Sequence, residues 1–190
     1  MINETTEEAF NLLENLLRWT RNQNGKTKIY ATLFNLTPVA RQVVSLFSAI
    51  ANAKEIELIN RIEGKFDIFA DEDMIKTVLR NLISNAIKFT YTGGQVELSL
   101  ADSGDYWTIY VKDNGKGIPK DLQTHLLKSD EYITTYGTHN EKGSGLGLIL
   151  CRDFIRMNKG KLHFCSQEGI GTTFYFTIPK ASSSAKAASR

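Results

Sequence analysis

The chain has 190 residues, 42% of them hydrophobic, with 23 basic and 21 acidic side chains and a net charge of +2. That length supports one well-buried core with a short lead and tail, and charges this interspersed, without an arginine-rich stripe or a zinc pattern, argue against a nucleic-acid partner. Two cysteines, Cys151 and Cys165, make no disulfide framework and are expected to be reduced and buried, and without a membrane-length apolar run or a signal peptide the chain is expected in the cytosol.

Residues 4–22 read as one helix, capped by Thr5 or Thr6, with Glu7 and Glu8 in its first turn and Gln23-Asn24-Gly25 stopping it. Phe10, Leu13 and Leu17 make one apolar stripe and Leu12, Leu16 and Trp19 another, so both sides are covered, as inside a bundle. A strand is expected over 28–36. Pro38 then suits the first turn of a helix running to about Ala53, with Val39, Val43, Val44, Phe47 and Ile50 on its apolar face. Short strands near 56–62 and 66–69 are split by Glu63-Gly64, and Asp71 caps a long helix to Phe89. Thr92-Gly93-Gly94 turns into a strand over 96–101, Ser103-Gly104-Asp105 makes a hairpin turn, and 106–112 returns. Beyond a glycine-rich loop, Pro119 opens a short helix to about Leu127, and residues 128–143 are polar without periodicity. A helix from about Gly145 to Met157 stops at Asn158-Lys159-Gly160, and a last hairpin pairs 161–166 with 173–178. Residues 181–190 are small, polar and expected to be disordered. Strands and helices mix without strict alternation, which predicts an α+β fold. Its form would be a two-layer α/β sandwich with a mixed, mostly antiparallel sheet and helices on one face.

Three loci carry candidate chemistry. On the helix 71–89 the apolar residues recur at helical spacing, and Asn81, Asn85 and Lys88 fall within an arc of about 60° on another face. Asparagine is a poor helix former, so two of them one turn apart want a reason other than solvation. An amide oxygen is a hard neutral ligand suited to Mg²⁺, and a lysine one turn on meets a phosphate as a point charge; an ordinary polar stripe would look the same. The second locus, Asp113-Asn114-Gly115-Lys116-Gly117-Ile118, follows a strand directly. Its glycines permit close backbone approach, and Asp113 is placed to accept from an exocyclic amine such as that of adenine; a plain turn is the alternative. The third, Gly143-Ser144-Gly145-Leu146-Gly147-Leu148, precedes an apolar helix whose free N–H groups form an anion site, or else it is a flexible hinge.

Together, in this order, Asn-Leu-Ile-Ser-Asn-Ala-Ile-Lys-Phe-Thr at 81–90, the Asp113 loop and the Gly143 loop resemble the asparagine box and two glycine boxes of the bacterial sensor histidine kinases. Gly171-Thr172-Thr173-Phe174 extends the resemblance, which covers about 28–180. It implies a Bergerat-type ATP-binding domain over 26–180, preceded by the second helix of a dimerisation and phosphotransfer bundle over 1–25 and followed by a tail or linker over 181–190. By that likeness Asn85 ligates Mg²⁺, Asn81 helps hold metal and phosphates, and Lys88, beside Phe89, contacts phosphate. Asp113 reads adenine with help from Thr172, next to Gly115, Gly117 and Ile118. Gly143, Ser144, Gly145, Leu146, Gly147 and Leu148 enclose the phosphates, with residues 128–142 as a lid. The partners implied are ATP, a phosphoacceptor helix of the same kinase, a response regulator receiver domain and a second copy through the N-terminal helix. The chain would be the cytoplasmic part of a membrane-tethered sensor.

Related ATPases of this superfamily carry a glutamate one turn before the metal asparagine, because water must be oriented and deprotonated. Here that position is Asn81, which takes no proton, whereas a neutral imidazole is already nucleophilic near neutral pH. A histidine acceptor is therefore expected. The alternatives are an ATPase of the same fold and a nucleotide-sensing module without turnover. None of His125, His139 and His163 sits in an acceptor motif, so autophosphorylation by this chain alone is not expected. Leu126-Leu127 stands where the family often has a phenylalanine, so either leucine would fill the same apolar gap with less area, Leu127 being counted with the nucleotide site.

Overall fold

The computed structural model describes residues 28–126, 136–139, 141 and 145–181. The helix expected over 4–22, Leu127, Gly143, Ser144, most of the polar stretch and the tail beyond 181 lie outside the described residues.

The first strand, β1 (Thr32–Asn35), is shorter than the expected 28–36: residues 28–31 fall outside it, and at its C-terminal end helix α1 (Leu36–Ala53) starts earlier than expected. Asn35 is the reason: its side-chain oxygen accepts from the Thr37 N–H at 3.2 Å and from the Phe66 N–H at 3.1 Å. It caps the helix and ties it to the loop before β3 (Asp67–Ala70), and Pro38 still falls in the first turn, where a missing N–H costs nothing. β1 and β3 pair as a two-stranded antiparallel sheet, and Ile68 of β3 also makes an isolated antiparallel bridge to Lys180.

The main sheet has the order β2-β4-β5-β7-β6, built from β2 (Glu57–Asn60), β4 (Gln95–Ser103), β5 (Tyr106–Asp113), β7 (Gly171–Pro179) and β6 (Leu162–Gln167). Only β2 and β4 run parallel; the remaining pairs are antiparallel, as the mostly antiparallel expectation requires. Val96 and Leu98 on β4, Ile109 and Val111 on β5, and Phe176 and Ile178 on β7 alternate inward to form the sheet's half of the core. Helix α2 (Glu72–Phe89) supplies much of the other half through Ile75, Val78, Leu79, Leu82, Ile83 and Ile87, with α4 (Gly147–Met157) packed beside it. Burying each such side chain is worth roughly 1.5–3 kcal/mol. The short helix after Pro119, α3, spans only Lys120–Gln123.

Asp71 organises the start of α2. One carboxylate oxygen accepts from the Met74 N–H at 3.1 Å, the other from the Tyr30 N–H at 2.9 Å, and its own N–H donates to Asn158 Oδ1 at 2.7 Å. The cap is thus also a knot joining the chain before β1, α2 and the end of α4. Among the described residues no helix is long and apolar enough to cross a membrane.

Candidate functional site

With its apolar face committed to the core, α2 leaves Asn81, Asn85 and Lys88 half-buried along a second ridge, as expected. Asn81 donates through Nδ2 to the Thr77 carbonyl at 2.8 Å, which turns its Oδ1 away from the helix backbone. That oxygen faces the start of α4: a Cβ built on Gly147 would lie 2.6 Å from it. Only glycine lets the third locus come this close to the first. Gly145 just before it adopts φ +70°, a left-handed conformation that glycine reaches without strain. Among the described residues no side chain caps α4, whose first residue, Gly147, faces Asn81. Asn85, one turn on from Asn81, has no hydrogen-bond partner among the described residues.

The second locus is held with equal tightness. Asp113 pairs with Thr172 across β5 and β7, and both side chains are buried. Asp113 Oδ1 accepts the Gly115 N–H at 2.9 Å and the Thr172 N–H at 3.1 Å, while no donor among the described residues reaches Oδ2. Burial outweighs those two bonds and pushes the carboxyl up to about 6. Thr172 supports Asp113 through its backbone. Its hydroxyl lies 2.9 Å from Ser166 Oγ, which accepts the Ile118 N–H at 2.9 Å. A Cβ on Gly115 would sit 2.1 Å from the Phe89 carbonyl oxygen, and one on Gly117, at φ +68°, 2.1 Å from that of Gln167. Together with the Lys116 N–H bond to the Phe89 carbonyl at 3.0 Å, this seats the loop against the C-terminal end of α2. All three loci therefore converge on one helix, insofar as their residues are described. Leu127, Gly143 and Ser144 are not among those.

Three side chains at this junction, Lys54, Glu141 and Ser166, carry no signal in the sequence. Lys54, at the end of α1, is 7% exposed and donates to the Ile87 carbonyl at 3.0 Å, the Lys88 carbonyl at 2.9 Å and Glu141 Oε1 at 3.1 Å. The Lys88 and Lys116 ammoniums lie 5.2 and 5.0 Å from the Phe89 ring centroid, and Lys116 also donates to the Tyr136 carbonyl at 2.6 Å. Ser166, which orders Ile118, comes from a strand with no motif. A surface groove of about 590 Å³ beside Pro119 and Ser166 borders this loop but contains none of the expected site residues.

One expectation needs correcting. Cys151 is buried, and burial pushes its thiol up, but Cys165 is exposed. β6 alternates, with Leu162 facing the core and His163 and Cys165 sharing the outward parity, so an apolar-looking run misled. Of the histidines, His139 lies 3.2 Å from the Thr92 hydroxyl, His163 stacks on Tyr175, and His125 falls in the turn after α3 rather than within it.

Residues 70–182 match the family described as histidine kinase-, DNA gyrase B- and HSP90-like ATPase. The chain belongs to this family. It is an ATP-binding catalytic domain of the histidine kinase kind, as its relatives make plain. It is 30% identical over 170 residues to the adaptive-response sensory kinase SasA of Crocosphaera subtropica, covering 88% of this chain and 44% of SasA. Among solved structures it is similar to the catalytic domain of the histidine kinase ThkA (31% identity, TM-score 0.67, 79% of this chain and 95% of that one). It is also similar to ThkA in complex with the response regulator protein TrrA (25% identity, TM-score 0.72, 95% of this chain and 49% of that one). The chain spans less than half the length of the curated relatives it matches.

Proposed function

We propose that this kinase-type domain binds Mg²⁺–ATP on the ridge of α2 and transfers the γ-phosphoryl group to a histidine borne on a helix outside the chain. The observation that carries this reading is the pairing of Asn81 Oδ1 with the Gly147 turn, one helical turn from an uncommitted, half-buried Asn85 amide. Neutral amide oxygens on a rigid helix suit a hard cation that keeps several waters, so the donor set fits Mg²⁺, with Asn85 as ligand and Asn81 beside it. When bound, the ion neutralises phosphate charge. Lys88, the N–H groups at the start of α4 and the residues Gly143, Ser144, Gly145, Leu146 and Leu148 would then surround the phosphates. Asp113 Oδ2 would accept from the adenine amine, with Gly115, Gly117, Ile118, Phe89 and Leu127 proposed around the base and ribose. In the transfer, an imidazole nitrogen forms a bond to the γ-phosphorus as the bond to the ADP oxygen breaks, which needs positioning rather than a base. Asn81 supplies none.

The resting ionisation of Asp113 gives this assignment a signature. A bound amine favours the carboxylate, so the complex lowers a carboxyl that stands at about 6 in the free domain. Proton release on binding means that affinity rises with pH through that region and levels off above it. Lowering the pH from about 7 to about 5 should weaken ATP by up to about tenfold, and Asp113→Asn should flatten the profile.

The domain division proposed is 1–25, 26–180 and 181–190. A receiver domain as downstream partner is supported by the ThkA–TrrA complex, and residues 4–22 would associate with a second copy. ATP supply places the reaction on the cytoplasmic side. Incubating the chain with γ-labelled ATP and a separate acceptor-helix protein tests the reading. Acid-labile label on the partner is expected, with none on this chain alone; free phosphate without a partner would make it an ATPase, and binding without turnover a sensing module.

A further inference from the structure

We infer that Lys54 and Glu141 form a latch, its ammonium buried, that positions the C-terminal turn of α2, making both of them positioning residues for nucleotide binding. The inference rests on the ATP site proposed above and adds to it two residues with no motif of their own.

Lys54 spends all three of its donors here. Two go to the Ile87 and Lys88 carbonyls, which are among the last of α2 and have no onward helical partners, and the third goes to Glu141. An ammonium at a helix C-terminus also meets the negative end of its dipole. Glu141 is held from three sides. Its Oε1 accepts from Lys54, its Oε2 accepts the His139 N–H at 2.8 Å, and its carbonyl accepts the Gly137 N–H at 2.9 Å. Burial alone would raise this carboxyl, yet the N–H bonds from its own backbone and His139, together with Lys54, hold it below its usual range. Thr138 closes the arrangement, donating its N–H to the Lys88 carbonyl at 3.1 Å and its hydroxyl to the Thr90 carbonyl at 2.8 Å. Gly137 packs so tightly that an added Cβ would lie 2.6 Å from Lys88 Cγ.

The consequence is geometric. Lys88 and the turn that carries it are fixed from below by Lys54, and Glu141, bonded to the same lysine, lies four residues before Gly145. The ridge is thus anchored on one buried ammonium, which Glu141 also holds. Neither latch residue is in the set expected to touch ATP, and a surface lysine would not be 7% exposed. Loss of the latch should therefore loosen the phosphate end of the site more than the adenine end, where Asp113 is also held across the sheet by the Thr172 N–H.

The test uses the whole chain, a fluorescent ATP analogue with Mg²⁺, and adenosine, which reaches only the Asp113 end. Lys54→Met and Glu141→Ala are each expected to weaken Mg²⁺–ATP by about tenfold, the lower end of what loss of a supporting partner costs, with adenosine changed by less than about twofold. Glu141→Gln, which keeps an acceptor oxygen, should recover part of the loss. Glu141 is 34% exposed, so the Glu141 variants decide the matter even where Lys54→Met does not fold. Unchanged ATP affinity in folded variants, or equal losses for ATP and adenosine, would overturn the latch. Failure of the site reading would look different, because the unaltered chain would then bind no Mg²⁺–ATP.

Discussion

Asn85→Ala should lose Mg²⁺-dependent ATP binding by about a hundredfold, roughly 2.8 kcal/mol, while the fold stays intact. Asn85 is half-buried on the ridge and has no hydrogen-bond partner among the described residues, so its removal leaves no orphaned group in the protein. Alanine is also the better helix former, which favours α2 slightly. Stability and function should part company: an unchanged or raised melting temperature, with affinity no longer responding to Mg²⁺. Titration of the variant by a fluorescent ATP analogue with and without the metal checks this. Retained metal dependence would remove Asn85 from the metal role. Asn81→Ala differs, because it also breaks the Nδ2 bond to the Thr77 carbonyl and withdraws the oxygen facing Gly147.

Asp113→Asn is the second large effect, and its two consequences have opposite signs. The asparagine Oδ1 still accepts from Gly115 and Thr172, but the amide nitrogen now stands where Oδ2 was and presents a donor to the adenine amine. Losing a charged acceptor and gaining a donor clash should cost about 1.5–3 kcal/mol of binding, a loss of about 10- to 100-fold. The free domain should gain stability at neutral pH. A carboxyl raised to about 6 binds more protons folded than unfolded between its ordinary range and that value, so its contribution falls as pH rises through the window. Above it, the buried charge is a burden that asparagine removes. Thermal denaturation at about pH 7 should show a higher midpoint for the variant than for the parent, and isothermal titration a weaker complex. Unchanged affinity would contradict the adenine assignment.

The parts of this molecule that were legible in its sequence are those set by local chemistry. Asp71 caps α2 where an Asp before an apolar periodic run should, and the ridge of Asn81, Asn85 and Lys88 follows from helical geometry alone. Glycines 115, 117 and 147 announced close approaches, and each now has a named neighbour. What escaped depends on partners distant in the chain. Lys54 ends an amphipathic helix and looks like any solvated lysine; only the fold brings it to the Lys88 carbonyl, 34 residues on, and to Glu141, 87 residues on. Asn158 was legible as a helix stop but not as the acceptor for the Asp71 N–H. The pairing of β1 with β3 was hidden because four-residue strands carry too little pattern to name a partner. Cys165 misled for a related reason, since one apolar residue on the open face of an edge strand is indistinguishable in sequence from an inward one.

The central claim is one of place: a metal-bound triphosphate lies along α2 between Asn81 and Lys88, against the start of α4 and the loop after β5. Backbone amide shifts of the isotopically labelled chain, followed during titration with Mg²⁺ and a non-hydrolysable ATP analogue, test it most directly. The largest changes should fall at Asn81, Asn85, Gly115, Gly117 and Gly147, and should shrink when Mg²⁺ is withheld. Shifts confined to the outer face of the sheet around Tyr110 and Tyr175, or to the groove beside Pro119, with those five unmoved, would contradict it.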